Sequence, residues 1–174
     1  MVRETTLREA GTEDAAVLAA TVAEGFASYL DWAPPGWEPP AVDEASLGRL
    51  VARLRRADVW CVLALVDGRP AGHVALSPVT TEDPGPLPAG QVFLWQMFVR
   101  EPWRGHGVAS TLMARAVAEA TGRGFTAMRL WTPEGAARAR RFYEREGWAP
   151  TGRRHEVSPS GLPTVEYGRA LRSS

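Results

Sequence analysis

The stretch EPWRGHGVASTLM, from Glu101 to Met113, follows the apolar segment QVFLWQMFV and leads into a helical pattern. Gly105 and Gly107 allow the chain to turn tightly between the strand and the helix, and Arg104 adds a positive charge beside the turn. The first N–H groups of a helix have no partner inside the helix and carry partial positive charge, so they favour an anion. The stretch therefore predicts a phosphate-binding turn.

Three phosphate-binding patterns can be compared with this turn. A Walker A loop requires lysine, which the chain lacks. The dinucleotide fingerprint G-x-G-x-x-G fails at Ser110, and the strands before it do not form the expected βαβ unit. The pattern R-x-x-G-x-[GA], after a strand and at the start of a helix, is met by Arg104, Gly107 and Ala109. On the residues alone, an ordinary tight turn between strand and helix is the alternative.

Outward from the turn, the spacing of apolar residues predicts the order β-α-α-β-β-β-α-β-α-β-β, typical of an α/β domain on a mixed sheet. Asp-Gly between the apolar runs Val59 to Val66 and Ala71 to Val79 predicts a hairpin, and a last helix is predicted over about Glu134 to Glu146. A Pro- and Gly-rich loop is predicted over residues 80–90. We expect a single domain over residues 1–174, because a chain of this length supports one sizeable core.

The composition argues against several classes of protein. All 20 basic residues are Arg and balance 20 Asp and Glu, so Arg-rich segments do not indicate a nucleic-acid partner. The longest apolar run, Val59 to Val66, is far shorter than the roughly 20 residues of a membrane span, and the N-terminal segment lacks a signal-peptide pattern. The single Cys61 suits a reducing compartment, and three isolated histidines predict no metal site. We therefore expect a cytoplasmic protein.

Two blocks of the chain, MFVREPWRGHGVASTLMARAVAEA and WTPEGAARARRFYEREGWAPTGRR, resemble the GNAT family of N-acetyltransferases. The resemblance covers somewhat more than a third of the chain. It implies an α/β fold with a mixed, mostly antiparallel sheet of six to seven strands and about four helices. It also implies that the two central parallel strands, QVFLWQMFV and FTAMRLWT, splay apart.

The same resemblance implies that acetyl-CoA is the co-substrate. Its pantetheine arm would pair with the strand at Met97, Phe98 and Val99. Its pyrophosphate would bind the turn formed by Arg104, Gly105, His106, Gly107, Val108 and Ala109.

The chemistry that follows is attack by a neutral amine on a thioester carbonyl. A backbone N–H near Met97 or Phe98 is expected to stabilise the oxyanion. Tyr143 matches the tyrosine of the family's FY-x-x-x-GF ending and is expected to act as general acid on the departing thiolate. From its spacing alone, Tyr143 is simply an aromatic residue on a core stripe.

The chain departs from the family at two places. Where many relatives carry Glu or Asp, this chain has Trp95 and Gln96, so the general base is left open: a remote carboxylate acting through water, His73, or a substrate that arrives neutral. Ala136 stands where many relatives have an Asn that contacts pantetheine. We interpret Arg138, Arg140 and Arg141 of the last helix as a solvated face, and the alternative is that they approach the 3′-phosphate of the cofactor.

Trp32 and Trp37 lie in a Pro-rich break near Asp31 and Glu38, in a region that borders the acceptor site in this fold. An aromatic wall with carboxylates suits a cationic amine, so we expect a small-molecule amine acceptor bound by both indoles. The alternative is a loop pinned by two half-buried indoles. A protein acceptor and a homodimer are left open. The competing function is a non-catalytic acyl-CoA-binding sensor or partner protein.

Overall fold

The computed structural model describes residues 4–80 and 87–172, which build a seven-stranded sheet of order β1-β2-β3-β4-β5-β7-β6. Neighbouring strands are antiparallel except β4 and β5, which confirms the mixed, mostly antiparallel sheet. The predicted loop over residues 80–90 lies partly outside the described residues. The strands are β1 Thr5–Glu9, β2 Trp60–Val66, β3 Arg69–Ser77, β4 Gln91–Val99, β5 Ala127–Pro133, β6 Ala149–His155 and β7 Thr164–Ala170.

Helices cover both faces of the sheet. They are α1 Ala15–Ala27, α2 Glu44–Leu54, α3 Val108–Gly122 and α4 Ala137–Arg145. Leu18 of α1 and Leu50 of α2 pack on one face with Cys61 and Leu63, whereas α3 and α4 pack on the other face. Because both faces are covered, β2 is an almost continuous apolar run instead of an alternating one. None of the helices in the described ranges is long and apolar enough to cross a bilayer.

The local signals explain where most elements begin and end. The hairpin between β2 and β3 turns at Asp67 and Gly68, both at positive φ, as the Asp-Gly pair predicts. Asp43 begins α2, since its carboxylate accepts a hydrogen bond from the Ser46 amide at 2.8 Å.

The last helix is shorter than the predicted span of Glu134 to Glu146. It begins at Ala137, because two amides before it donate to carbonyl groups outside the helix. The Glu134 amide donates to the carbonyl of Pro163 at 2.9 Å, and the Ala136 amide donates to the carbonyl of Pro133 at 3.0 Å.

Strand β4 contains a bulge in the middle of its pairing with β3. Ala75 lies opposite Gln96 and Leu76 lies opposite Leu94, so Trp95 is an extra residue on β4. Beyond the bulge, the side chains of Met97 and Val99 still pack against the core on the α3 side, whereas Trp95 packs with the core on the α1 side.

The two central parallel strands separate after a short paired segment. β4 and β5 pair only from Gln91 with Ala127 to Phe93 with Arg129. Beyond that point β4 stays paired with β3, and β5 stays paired with β7. The predicted splay is therefore confirmed, and it opens the centre of the sheet towards the start of α3.

Candidate active site

The gap between β4 and β5 forms a cavity with a volume of about 750 Å³, which we call the splay cleft. One wall is the separated part of β4 from Leu94 to Val99, and another is β5 from Leu130 to Pro133. The end of α1, the turn before α3 and the face of α4 complete the lining. The cleft therefore joins the turn singled out in the sequence to the interior of the sheet.

The turn before α3 presents a row of backbone donors. Among the described residues, no backbone amide from Gly105 to Ser110 donates to another backbone group, and the first such bond here runs from the Thr111 amide to the Gly107 carbonyl at 3.0 Å. Gly107 begins the helix without a side-chain cap. These donors lie at the positive end of a 15-residue helix, so they favour an anion.

The two glycines of the turn are required by conformation. Gly105 and Gly107 have φ values of 79° and 82°, in the left-handed region. A Cβ atom at either position would meet no atom within 4 Å, so both residues face open space. Backbone geometry therefore favours glycine at both positions, whereas crowding within the protein plays no part.

Arginines give the cleft a positive wall. Arg104 lines the cleft while its Nε donates to the Val99 carbonyl at 3.0 Å. Three arginines of α4 also line it: Arg138, Arg141 and Arg145. Arg140 instead donates from Nε to the Tyr167 hydroxyl at 3.0 Å. Arg138 and Arg141 are exposed, as the interpretation of a solvated face predicts, although both border the cleft, whereas Arg140 is half-buried and departs from that interpretation.

The structure brings most of the predicted cofactor-binding residues to the cleft. Met97, Phe98, Val99, Arg104, Gly105, Gly107 and Ala109 line it. His106 and Val108 do not belong to the lining. The exposed ring of His106 places Nδ1 2.9 Å from the Arg104 carbonyl, and the Val108 side chain is buried in the core. The side chains of these two residues therefore do not contribute to the cleft.

Phe98 turns its ring away from β5. The ring packs so closely on Gly25 of α1 that any side chain at that glycine would clash with it. It also lies 5.7 Å from the ring of Phe26. Gly25 is thus a site residue that periodicity could not reveal, because its importance depends on a residue 73 positions away in the sequence.

Tyr143 lies buried in the cleft wall on α4. Its ring packs against Phe142, Trp148 and Tyr167, so it is the core aromatic that its spacing indicates, and it also lines the cleft. Burial, with a smaller contribution from Tyr29, raises the pKa of the Tyr143 hydroxyl well above its ordinary value. The hydroxyl is therefore protonated at neutral pH and able to donate.

The two indoles of the Pro-rich break have different surroundings. Trp32 lines the cleft, lies 4.9 Å from the ring of Tyr29 and packs on Gly135. Trp37 is outside the lining, and its Nε1 donates to the Ser160 carbonyl at 2.8 Å. The structure thus brings Trp32 to the cleft and leaves Trp37 as a residue that pins the loop.

His73 is poorly placed to act as a base in the cleft. It is fully buried and outside the cleft lining, and burial lowers its pKa to about 4. Its Nε2 lies 3.1 Å from Oε1 of Gln96, which does line the cleft. Asp31 supplies the one carboxylate among the described residues of the lining.

Glu24 of α1 supports the site although no sequence pattern indicates it. Its carboxylate accepts from Arg100 Nε at 3.0 Å and from the Glu101 amide at 2.7 Å. These bonds fix the chain between β4 and the turn to α1. No local pattern could have found this contact, because the partners are 76 and 77 positions away.

The lining suits a coenzyme A thioester. The unpaired amides of the turn and the Arg104 guanidinium match an anionic diphosphate, and the gap between the separated strands has room for an extended polar arm. Within residues 4–80 and 87–172, no group of three or more His, Cys, Asp or Glu side chains is arranged to hold a metal ion.

Several solved structures share this architecture over nearly the whole chain. The PaiA N-acetyltransferase of Thermoplasma acidophilum in complex with coenzyme A has a TM-score of 0.72 at 15% identity, covering 96% of this chain and 99% of that one. A GNAT-family acetyltransferase of Staphylococcus aureus has a TM-score of 0.74 at 16% identity, covering 97% and 100%. A ribosomal-protein-alanine N-acetyltransferase of Brucella melitensis has a TM-score of 0.73 at 19% identity, covering 95% and 99%.

At the level of sequence, a search of curated proteins returned no match. The family model described as acetyltransferase (GNAT) family matches residues 23–148, from the second half of α1 to the residue before β6. This range contains both walls of the splay, the turn and Tyr143. The chain belongs to the acetyltransferase (GNAT) family.

Proposed function

We propose that this protein transfers an acetyl group from acetyl-CoA to a primary amine of a small molecule, by direct attack in a ternary complex. One observation carries the proposal: the row of unpaired amides before α3 opens into the same cleft that contains the buried hydroxyl of Tyr143. The transfer needs a site that binds the diphosphate of the co-substrate and a group that donates a proton to the departing sulfur.

The turn and β4 hold the co-substrate. The amides from Gly105 to Ser110 bind the diphosphate, and the charge of Arg104 supports them. The arm then runs along Met97 and Phe98, because the Val99 carbonyl already accepts from Arg104. Acetyl-CoA supplies the electrophile, which is the carbonyl carbon of its thioester.

Tyr143 acts as general acid. The amine nitrogen forms a bond to the carbonyl carbon, the carbon–sulfur bond breaks, and the departing sulfur takes the proton of the Tyr143 hydroxyl. The proton that the nitrogen loses as it becomes an amide passes through water to the Tyr143 oxygen and restores the hydroxyl. Because burial raises the pKa of the Tyr143 hydroxyl, the hydroxyl stays protonated at neutral pH and can donate its proton to the sulfur. A backbone N–H near Met97 or Phe98 donates to the oxyanion as the amine attacks.

Asp31 receives the proton of the incoming ammonium through a water molecule. It is the carboxylate of the cleft lining within the described residues, whereas Trp95 and Gln96 accept no proton at neutral pH. The nearby Trp32 and Tyr29 rings favour a cationic amine on its way to the thioester. These contacts support a small-molecule amine as the acceptor.

Direct transfer is favoured over an acyl-enzyme. Cys61 is buried on β2, and burial raises the pKa of its thiol to about 12. A thiol with such a high pKa is a poor nucleophile at neutral pH.

The test is release of free thiol from acetyl-CoA, measured with a panel of primary amines. We expect turnover with at least one amine and a kcat reduced roughly tenfold to a thousandfold in Tyr143→Phe. Tyr167→Phe is the matched control. It removes a buried hydroxyl from the same aromatic cluster but outside the cleft, so it should lose stability and keep kcat.

A non-catalytic acyl-CoA-binding protein is the competing function. It is favoured by the absence of a carboxylate at Trp95 and Gln96, with Gln96 held by His73. Tight binding of acetyl-CoA without thiol release for any amine would support this function and contradict the proposed one.

A further inference from the structure

Aromatic residues line the splay cleft from the α1 side of the sheet. Tyr29 and Trp32 belong to the segment that follows α1, and Trp131 belongs to β5. Because Leu130, the residue before Trp131, packs in the core on the α3 side, the alternation of a strand turns Trp131 towards the α1 side. Three rings from two distant parts of the chain therefore border the same side of the cleft.

Trp32 is held in place by its neighbours. Its ring centroid lies 4.9 Å from that of Tyr29, and the ring packs so closely on Gly135 that a Cβ atom there would lie 2.7 Å from it. Even so, 36% of Trp32 remains exposed. Because the ring is already fixed, a ligand that packs on its exposed part has little conformational freedom of the protein to restrict.

Trp131 is held in place on another wall of the cleft. Its ring centroid lies 4.3 Å from that of His155, and the guanidinium of Arg153 lies over the ring, 5.3 Å from its centroid. Nη1 of Arg153 donates to the buried carboxylate of Glu166 at 2.9 Å. Both His155 and Arg153 lie outside the described lining of the cleft, so Trp131 is fixed from behind.

The two indoles leave space between them. Trp32 and Trp131 do not stack on each other in the described structure, although both line the splay cleft. Aromatic rings pack best in offset or edge-on arrangements, with centroids roughly 4.5 to 7 Å apart. Two fixed rings that line one cavity without touching are therefore suited to receive a third ring. We call the part of the cleft between Trp32 and Trp131 the ring slot.

The charges of the lining favour a cation beside these rings. Asp31 supplies the carboxylate of the described lining, and it lies between Tyr29 and Trp32 in the chain. The arginines of the described lining belong instead to the turn before α3 and to α4: Arg104, Arg138, Arg141 and Arg145. An ammonium group is therefore attracted to the segment that carries the rings, and the diphosphate of the co-substrate is attracted to the arginines.

From this arrangement we infer that the splay cleft binds an amine that carries an aromatic ring on a short chain, such as a 2-arylethylamine. The ring enters the ring slot and packs on Trp32 and Trp131, and the ammonium group lies towards Asp31. The inference rests on the proposed function, under which this amine is the acceptor. It narrows the acceptor from primary amines in general to arylalkylamines.

The test compares 2-phenylethylamine, 2-cyclohexylethylamine and butylamine as acceptors in the thiol-release assay. The first two amines differ in aromatic character, and butylamine lacks the ring. We expect 2-phenylethylamine to have the highest kcat/KM, exceeding that of 2-cyclohexylethylamine by roughly threefold or more and that of butylamine by roughly tenfold or more.

Substitutions locate this preference in the ring slot. Trp32→Leu should lower the ratio of kcat/KM for 2-phenylethylamine to that for butylamine by roughly fivefold or more. The control is Leu30→Ala, which changes an exposed apolar neighbour outside the described lining and should keep the wild-type ratio. Because the ratio compares two amines on one preparation, it does not depend on the fraction of folded protein.

A kcat/KM for 2-phenylethylamine no higher than that of either other amine, or the same ratio in Trp32→Leu and Leu30→Ala, would overturn the inference and leave the proposed function intact. Calorimetry of 2-phenylethylamine with the coenzyme A-bound protein separates binding from turnover. We expect Trp32→Leu to weaken this binding by roughly fivefold or more and Leu30→Ala to leave it unchanged. If this pattern occurs while no amine releases thiol, the ring slot stands and the proposed function fails.

Discussion

The side chains of His73 and Gln96 form a buried pair across β3 and β4, with His73 Nε2 3.1 Å from Gln96 Oε1. Because an amide oxygen only accepts, the neutral His73 ring carries its proton on Nε2. Nδ1 is buried and has no partner among the described residues. The pair therefore orients Gln96 in the wall of the splay cleft and favours the neutral form of the imidazole.

This burial predicts a pH dependence of stability. The pKa of His73 is about 4 in the folded protein and near 6.5 when unfolded, so the unfolded state binds more protons between these values. The free energy of unfolding should fall as the pH drops from about 6.5 to about 4, by up to about 3 kcal/mol. Urea titrations of wild type and His73→Leu across this range measure the difference, since the variant lacks this contribution. An identical slope in His73→Leu and wild type would contradict the assignment of the pH dependence to His73.

Gly105→Ala should weaken acetyl-CoA binding by roughly fivefold or more, because the strained alanine shifts the amides of the turn. Gly124→Ala is the matched control, since Gly124 also has a positive φ and open space around its Cβ position, but lies beyond the end of α3. Both variants should lose about 1 kcal/mol of stability. Calorimetry with acetyl-CoA checks the affinities, and equal affinities in the two variants would show that the turn is not the binding site.

Glu166→Ala should destabilise the fold by about 2 to 4 kcal/mol. The Glu166 carboxylate is fully buried and accepts from Arg129 at 2.7 Å, Arg153 at 2.9 Å and Thr151 at 2.8 Å. Asp58→Ala, which breaks an exposed pair with Arg56, should change the free energy of unfolding little. Chemical unfolding of both variants measures the contrast, and a similar small loss in each would contradict the importance of burial here.

The hydroxyl of Tyr143 should remain protonated as the pH rises through 10, the ordinary value for tyrosine, because burial raises its pKa. Ultraviolet absorbance of tyrosinate, measured on folded wild type and on Tyr143→Phe, isolates this residue. We expect the two titration curves to coincide up to about pH 10. A tyrosinate signal below pH 10 that disappears in Tyr143→Phe would contradict the raised pKa of the Tyr143 hydroxyl.

Several features of the fold could be predicted because they depend on local chemistry. Asp67 and Gly68 determine the hairpin, and the turn at Gly105 and Gly107 determines where α3 starts. The resemblance between two blocks of the chain and the GNAT family supplied the splay, which the short pairing of β4 with β5 confirms. No local sequence pattern in β4 or β5 indicates the splay.

The rest of the site depends on contacts between distant parts of the chain. The indole of Trp37 looks the same in the sequence as that of Trp32, but its Nε1 donates to Ser160, 123 positions away. The neighbours Arg140 and Arg141 diverge for a similar reason: one binds Tyr167 on β7 and the other lines the cleft. The packing of α4 on the sheet determines which arginine contacts the core and which lines the cleft.

The central claim is that the amides from Gly105 to Ser110 hold the diphosphate of a coenzyme A thioester. The most direct measurement is a nitrogen-15 NMR titration of these amides with acetyl-CoA and, separately, with S-acetylpantetheine, which lacks the diphosphate. We predict large, saturable shifts of these amide resonances with acetyl-CoA and almost none with S-acetylpantetheine. Unchanged resonances at a concentration of acetyl-CoA that shifts other residues of the cleft would contradict the claim.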